Sequence, residues 1–330
     1  MKLATYTFRG QTRAGAVLGD QVVDLHRGYV WWMGQSGEET STSLADAVMP
    51  STLLAFLQRG DTGMQLAREV LVAVQEAKRS TPTERLLRER GVLFALEEVR
   101  LEAPIQRPPK IICMWVNYRA HGEEASIVPP TEHPIFFSKF ATAVIGPHES
   151  IVIPRISQMV DYEAELALVI GKRGKDIAPH EVYDYIAGYT ILNDVSARDY
   201  SLKRLLGVVG PSLIQKTFDT FAPLGPWIVT RDEIDDPHRL DIRLSIDGEI
   251  LQDSNTRHMI FKIPDIVAAI SQVVTLEPGD VISTGTPPGV GFARTPPRYL
   301  RPGERVRIEI ERIGVLENPV AHSEEPEIEN

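Results

Sequence analysis

From Pro104 onward the apolar positions fall into short runs closed by proline or glycine, and several runs alternate apolar with polar residues. A period of two places successive side chains on opposite faces of an extended backbone, so these runs predict strands. IICMWV, IFFSK, SIVIP, AGYTILND, LGPWIVT, LDIRLSIDG, DVISTG and RVRIEIERIG are such segments. EPGD at 277–280 and RPGE at 301–304 are turns that each launch a strand. Few helices interrupt them. Pro179 and Pro264 suit first helical positions, and after Pro264 the residues Ile266, Val267, Ile270, Val273 and Val274 predict one apolar helix face. The pattern predicts a mostly β domain of roughly two hundred residues, a size that one domain can hold.

Before Pro104 the pattern differs. KLATYTF and AGAVLGDQVVDL read as two strands joined by a turn. Leu44–Phe56 and Met64–Ala77 carry helical spacing, and a polar stretch from Ala77 to Arg90 leads to a last short run at Val92–Leu101. Residues 1–103 are thus expected to form a small α+β accessory unit ahead of a catalytic unit at 104–330, and the acidic end SEEPEIEN is expected to fray.

The run VDYEAELALVI changes the picture from fold to chemistry. Val160, Tyr162, Ala164, Leu166, Leu168 and Ile170 share one face; Asp161, Glu163, Glu165, Ala167 and Val169 share the other. Glu163 and Glu165 then project side by side, roughly 7 Å apart at their Cα atoms. Two like charges on an apolar strand need a compensator, and a divalent cation is the simplest one. Asp194 ends AGYTIL and is placed to complete such a site. Three carboxylates without His or Cys favour Mg2+ or Mn2+, then Ca2+, and suit zinc poorly. The competing reading is a solvated strand face with Asp194 as a helix cap.

Other residues carry chemistry with alternatives beside it. In NYRAHGEEA, a helical turn would put His121 and Glu124 on one face as a water-activating dyad, or leave an exposed histidine at an acidic helix start. Arg198 suits a carboxylate clamp or an ion pair with Asp199. Lys216 sits among apolar and small residues and needs an anion, either Asp219 or a substrate. STGTPPGVG imposes a tight loop whose N–H groups and Thr286 hydroxyl could bind an oxyanion, although it lacks the ending of a phosphate-binding Walker loop.

Composition narrows the partners. The 43% hydrophobic and 24% charged content is ordinary for a globular enzyme, and the net charge of -10 argues against nucleic acid or an anionic membrane. One cysteine, Cys113, excludes an intrachain disulfide and a thiolate metal cluster. The opening MKLATYTFRG lacks the apolar core of a secretory signal and no run approaches a membrane span, so a cytoplasmic protein is expected.

DYEAELALVIGK, DYIAGYTILNDVSARD, QKTFDTFAPLGPWIVT, MIF, TLEPGDVISTGTPPGVG and VRIEIERIGVLENPV together resemble the fumarylacetoacetate hydrolase family, over about residues 108–320. The likeness is to its acylpyruvase-like and 2-hydroxyhepta-2,4-diene-1,7-dioate isomerase-like branch. It implies the family's mixed β-roll, mainly β with α, and a homodimer. It implies Glu163, Glu165 and Asp194 as ligands of Mg2+ or Mn2+, His121 and Glu124 as the dyad, and Lys216 as the contact to substrate and oxyanion. Arg198 and Thr286 match positions that bind the oxo-acid end. Two positions depart: Trp115 stands where glycine is usual, and Ser201 replaces a glutamine that often touches substrate. LKRLLGVVGPSLI is also more apolar than its usual counterpart.

The reaction so implied is hydrolysis of a carbon–carbon bond in an acylpyruvate-like 1,3-diketo acid, the business of a hydrolase acting on ketonic substances. The alternatives are decarboxylation or tautomerisation of a 2-oxo or 2-hydroxymuconate diacid on the same scaffold, and a non-catalytic metal-binding protein.

Overall fold

The computed structural model describes residues 1–35 and 42–323; the acidic end at 324–330 lies outside the described residues. A large twisted sheet runs, edge to edge, through Leu93–Ala95, Gln21–Asp24, Gln11–Leu18, Lys2–Phe8, Ala222–Thr230, Ile186–Asn193, Ala164–Ile170, Val281–Ser283, Ile111–Met114 and Phe136–Lys139. Only the pairing of Val281–Ser283 with Ile111–Met114 is parallel along this path. A second sheet orders Glu249–Asn255, Asp241–Ile246, Arg305–Ile310, Gly314–His322 and Ile151–Ile153.

The strand Ala164–Ile170 is buried on both faces, not on one. Leu166, Leu168 and Ile170 pack in one core with Ile242, Leu244 and Ile308 of the second sheet and with Ile266 and Ile270. Ala167 and Val169 face a second core built with Leu53, Phe56, Val70 and Val74 of the N-terminal helices. Apolar residues at both parities of a strand are what two covered faces require. Sheet packed on sheet on one side, and helices on the other, make a sheet-rich α+β fold of the expected class.

The N-terminal residues are built into this arrangement. Lys2–Phe8 pairs antiparallel with Ala222–Thr230, placing Leu3 opposite Ile228, so the sequence boundary at 103/104 falls within one continuous sheet. The expected helix over Leu44–Phe56 is two, Thr42–Val48 and Leu53–Leu57, separated around Pro50, and Met64–Ala77 extends back to Gly60. Proline without a free N–H at an interior position accounts for the break. The helix after Pro264 spans Ile263–Val273 and buries Ile266, Val267 and Ile270, but Val273 is exposed. AGAVLGDQVVDL, expected as one strand, is two, Gln11–Leu18 and Gln21–Asp24, and the strands Glu249–Asn255 and Gly314–His322 and the short pairs Val144–Ile145 and Ser196–Ala197 were not expected.

Gly188, in the strand Ile186–Asn193, leaves no room for a side chain against Ala222–Thr230. A Cβ there would lie 2.2 Å from the Val229 carbonyl oxygen and 2.7 Å from Ile228 Cγ2. Gly188→Ala is therefore expected to lower stability by roughly 1–3 kcal/mol, the usual cost of overpacking. A denaturant titration measures this; an unchanged midpoint would show that the strands can part there freely.

Candidate metal centre and active site

Glu163 and Asp194 are fixed by backbone before their side chains meet. The Asp194 N–H donates to the Glu163 carbonyl at 2.9 Å, and the Glu163 N–H donates to Asn193 Oδ1 at 3.0 Å. Glu165, two residues on and in the adjoining strand, points into the same space. Carboxylate oxygens of Glu163, Glu165 and Asp194 lie within 4.8 Å of one another, and all three residues are buried. A solvated strand face is thereby excluded.

Buried carboxylates need partners, and two of the three have cations. Lys216 Nζ donates to Glu163 Oε2 and Asp194 Oδ2, both at 2.5 Å. Arg198 reaches Glu163 through Nη2 at 2.5 Å and Asp161 through Nε at 2.8 Å. Lys139, fully buried, donates to Asp194 Oδ1 at 2.5 Å and to the Val195 carbonyl at 3.0 Å. Burial alone would push the Glu163 carboxyl up, yet Lys216 and Arg198 hold it well below the usual carboxylate range. Burial would lower Lys216, and Asp194 with Glu163 raise it instead.

Glu165 is different. Its oxygen Oε2 accepts only from Ser283 Oγ at 2.5 Å and the Gly285 N–H at 2.9 Å. Burial, then the Asp194 and Glu163 charges, push its carboxyl well above the ordinary value. Four carboxylates, counting Asp161, thus face three cations, and the surplus falls where no cation touches. An all-oxygen donor set with a surplus negative charge fits a hard divalent cation.

The dyad forms as the helical spacing required. Arg119–Glu124 is a helix, and His121 Nδ1 lies 2.9 Å from Glu124 Oε1. Glu124 Oε2 in turn accepts from the Gly289 N–H at 2.8 Å. Asn117 anchors the segment: its amide donates to the Phe261 and Thr284 carbonyls at 3.1 and 2.8 Å and accepts from the Phe261 N–H at 2.8 Å. With Nδ1 held by Glu124, Nε2 is the ring nitrogen left for a substrate or water.

One cavity of about 380 Å³ is lined by His121, Glu163, Arg198 and Lys216, with Trp115 and Ser201, while Glu165, Asp194 and Glu124 stand behind its wall. Aromatic walls support the cations: Lys216 Nζ lies 5.1 Å from the Phe137 ring centroid, and the Arg198 guanidinium 4.4 Å from that of Phe292. Gln215 joins the lining, and its side-chain oxygen is buried without a partner. Trp115 is a cavity wall, and the Ser201 hydroxyl also caps the next helix by accepting from the Arg204 N–H at 3.3 Å.

Three residues singled out in the sequence have the following partners in the protein. Lys216 pairs with Glu163 and Asp194, not with Asp219. Arg198 bonds Asp161 and Glu163, while the Asp199 carboxylate accepts from Ser157 Oγ and the Gln158 N–H. Thr286 is absent from the cavity wall; its hydroxyl donates to the Ala164 carbonyl at 2.9 Å and accepts from Gln252 at 2.8 Å. The loop around it does bind anions, but through Gly285 and Gly289 those anions are the protein's own Glu165 and Glu124. Lys139 and Asp161 were missed by sequence reasoning. Asp161 had a signal, since it shares the polar parity of Glu163. Lys139 had none, standing as an ordinary polar strand end. Cys113 is buried, and burial with the nearby Asp194 and Glu165 charges pushes its thiol up, away from nucleophilic chemistry.

Comparison with known proteins gives the chain its relatives. The chain is 44% identical over 288 residues to mitochondrial oxaloacetate tautomerase Fahd2a of Rattus norvegicus, covering 87% of this chain and 85% of that one. Among solved structures it resembles 5-carboxymethyl-2-hydroxymuconate delta-isomerase from Mycobacterium smegmatis, with TM-score 0.69, 32% identity and coverage of 98% and 100%. It resembles maleylpyruvate hydrolase from Sphingobium sp. SYK-6, solved with manganese(II) and pyruvate, with TM-score 0.71, 30% identity and the same coverage. Residues 110–321 match the family model described as Fumarylacetoacetate (FAA) hydrolase C-terminal, and with the carboxylate centre and dyad set in that fold the chain belongs to the fumarylacetoacetate hydrolase family.

Proposed function

We propose that this chain is a divalent-cation-dependent enzyme that interconverts the keto and enol forms of a small 2-oxo dicarboxylic acid of the oxaloacetate type. The observation that carries this reading is that Glu163 of the carboxylate centre, Lys216 and His121, whose Nδ1 Glu124 holds, all line one cavity of about 380 Å³. That volume lies at the low end for ligand pockets and suits a compact acid. The identity to the rat tautomerase supports the choice of substrate.

Glu163, Glu165 and Asp194 would hold Mg2+ or Mn2+, and the ion supplies Lewis-acid polarisation of a 2-oxo oxygen. The protein's own residues do the rest. His121 Nε2 takes the proton from the carbon beside the ketone, the C–H electron pair becomes the C=C bond, the C=O π pair moves onto the ketone oxygen, and the imidazolium hands the same proton to that oxygen. Glu124 holds Nδ1 so that the imidazolium formed in between is stabilised. Lys216 presents its ammonium where negative charge gathers on that oxygen. Trp115 and Phe137 limit the water that reaches the intermediate.

Hydrolysis of an acylpyruvate-like diketo acid is the second reading. The same dyad suits activation of a water, and the Sphingobium structure is of a hydrolase. Following oxaloacetate enol absorbance and the products of acylpyruvates side by side with Mg2+ or Mn2+ separates the two. No acceleration of enol loss over buffer, with cleavage of acylpyruvates, would replace the first reading by the second.

A homodimer belongs to the same reading, on the family resemblance. No helix among the described residues is long and apolar enough to cross a membrane. A cytoplasmic setting was expected while the rat relative is named as mitochondrial, and cell fractionation decides between them.

Exhaustive chelation should abolish turnover, and Mn2+ at a hundred times its Kd should add about 2.7 kcal/mol of stability by mass action. Glu165→Gln should erase most of that gain in a thermal melt; full stabilisation of the variant would remove Glu165 from the ligand set. His121→Ala and Glu124→Gln should each lose roughly 10²–10⁴-fold in kcat while keeping the Mn2+-induced stabilisation. Trp115→Gly should broaden the range of 2-oxo acids accepted by shifting kcat/KM ratios about tenfold, as a few methylenes of pocket space do. A changed Tm with unchanged ratios would make Trp115 a packing residue only.

A further inference from the structure

The cavity's inner cations are already committed. Arg198 is paired with Asp161 and Glu163, and Lys216 with Glu163 and Asp194. The cavity lining holds two more, Lys203 and Arg204, on the short helix Leu202–Leu206 that Ser201 caps. Among the described residues neither side chain has a salt bridge or hydrogen bond; only their backbones are engaged, Arg204 N–H by Ser201 and the Lys203 carbonyl by the Gly207 N–H. Both are exposed, which keeps an unpaired charge inexpensive. Tyr299 lines the cavity as well. Burial and Asp161 push its hydroxyl up while Arg198 and Arg204 act in the opposite sense, so the Arg204 charge is felt at that wall. The next segment, Gly207–Pro211, carries no charge, and an overall charge of -10 makes two adjacent unpaired cations at a cavity mouth harder to dismiss as background.

We infer that Lys203 and Arg204 form the subsite for the second carboxylate of the substrate and so select dicarboxylic over monocarboxylic 2-oxo acids. One end of the acid sits at the carboxylate centre and Lys216, while the far carboxylate meets the two free cations at the mouth. A guanidinium offers a planar pair of donors to a carboxylate and a neighbouring ammonium adds a point charge. The subsite lies in the stretch that departs from the usual family sequence, and it rests on the 2-oxo acid reading above.

The test is calorimetric binding to the Mn2+-loaded protein of 2-oxoglutarate and of 2-oxopentanoate, which has a methyl group where the former has its second carboxylate. Neither measurement depends on turnover. The wild type should prefer the diacid by roughly tenfold, two exposed ion pairs' worth, and the preference should shrink at high salt. Lys203→Gln with Arg204→Gln should remove the preference and leave 2-oxopentanoate affinity unchanged. Lys203→Glu with Arg204→Glu should invert it. Melting curves equal to wild type establish that both variants fold, as expected for exposed positions. A wild type without preference, including one that does not bind the diacid, or a neutral variant that keeps the preference, overturns the subsite. A preference that follows these residues in a protein that does not turn over oxaloacetate sinks the tautomerase reading and leaves the subsite standing.

Discussion

The pairing of buried carboxylates with three cations is the interaction on which the rest of this structure depends. Each carboxylate withdrawn from water carries a desolvation cost of several kcal/mol, and removing one partner of such a pair leaves a charge that typically costs 3–5 kcal/mol. The cations arrive from separate places. Lys139 ends the edge strand Phe136–Lys139, Arg198 follows the central strand Ile186–Asn193, and Lys216 closes the short helix Leu213–Lys216. Their convergence on Glu163 and Asp194 therefore ties the sheet's edge to its middle. It also leaves Glu165 alone without a cation, which is what gives the centre its demand for a further positive charge.

The loop after Val281–Ser283 couples the two halves of the chemistry. Gly285 holds Glu165 on the carboxylate side, and Gly289 holds Glu124 on the dyad side. Both glycines have positive φ, +92° and +107°, and a Cβ on Gly289 would lie 2.1 Å from the Leu251 carbonyl oxygen. Only glycine supplies that backbone without strain and without the clash. Thr286 and Gln252 lock the loop between them, since Gln252 Nε2 donates to Thr286 Oγ1 and to the Pro287 carbonyl, each at 2.8 Å.

What the sequence made legible follows from which interactions are local. Alternation, proline and glycine located most strands, and parity put Glu163 beside Glu165. The i, i+3 spacing of His121 and Glu124 needed only one helical turn to become a contact. Lys139 was invisible because its partner Asp194 lies 55 residues away, and nothing in IFFSK distinguishes a buried lysine from a solvated one. The strand Glu249–Asn255 was hidden by its polar composition, EILQDSN, although Gln252 in it is fully buried and bonded to the Ala164 N–H and Thr286. The loop at Thr286 was legible as an anion cradle from its glycines, but that Gly285 and Gly289 hold the protein's own Glu165 and Glu124 depends on packing across more than a hundred residues.

The first strand has a temporal meaning that its position in the sheet conceals. Lys2–Phe8 and Gln11–Leu18 pair across a tight turn, a contact available as soon as both have been synthesised. On its other side Lys2–Phe8 pairs with Ala222–Thr230 and Arg100–Glu102, so part of its edge waits while some two hundred further residues leave the ribosome. Strand pairing across so long a loop is slow, and an unfilled edge is a template for pairing with other chains. Once Arg100–Glu102 has closed on Thr5–Thr7, Lys2 and Leu3 remain the edge that waits for Val229 and Ile228, so the start of the chain is the last part of this strand to be covered.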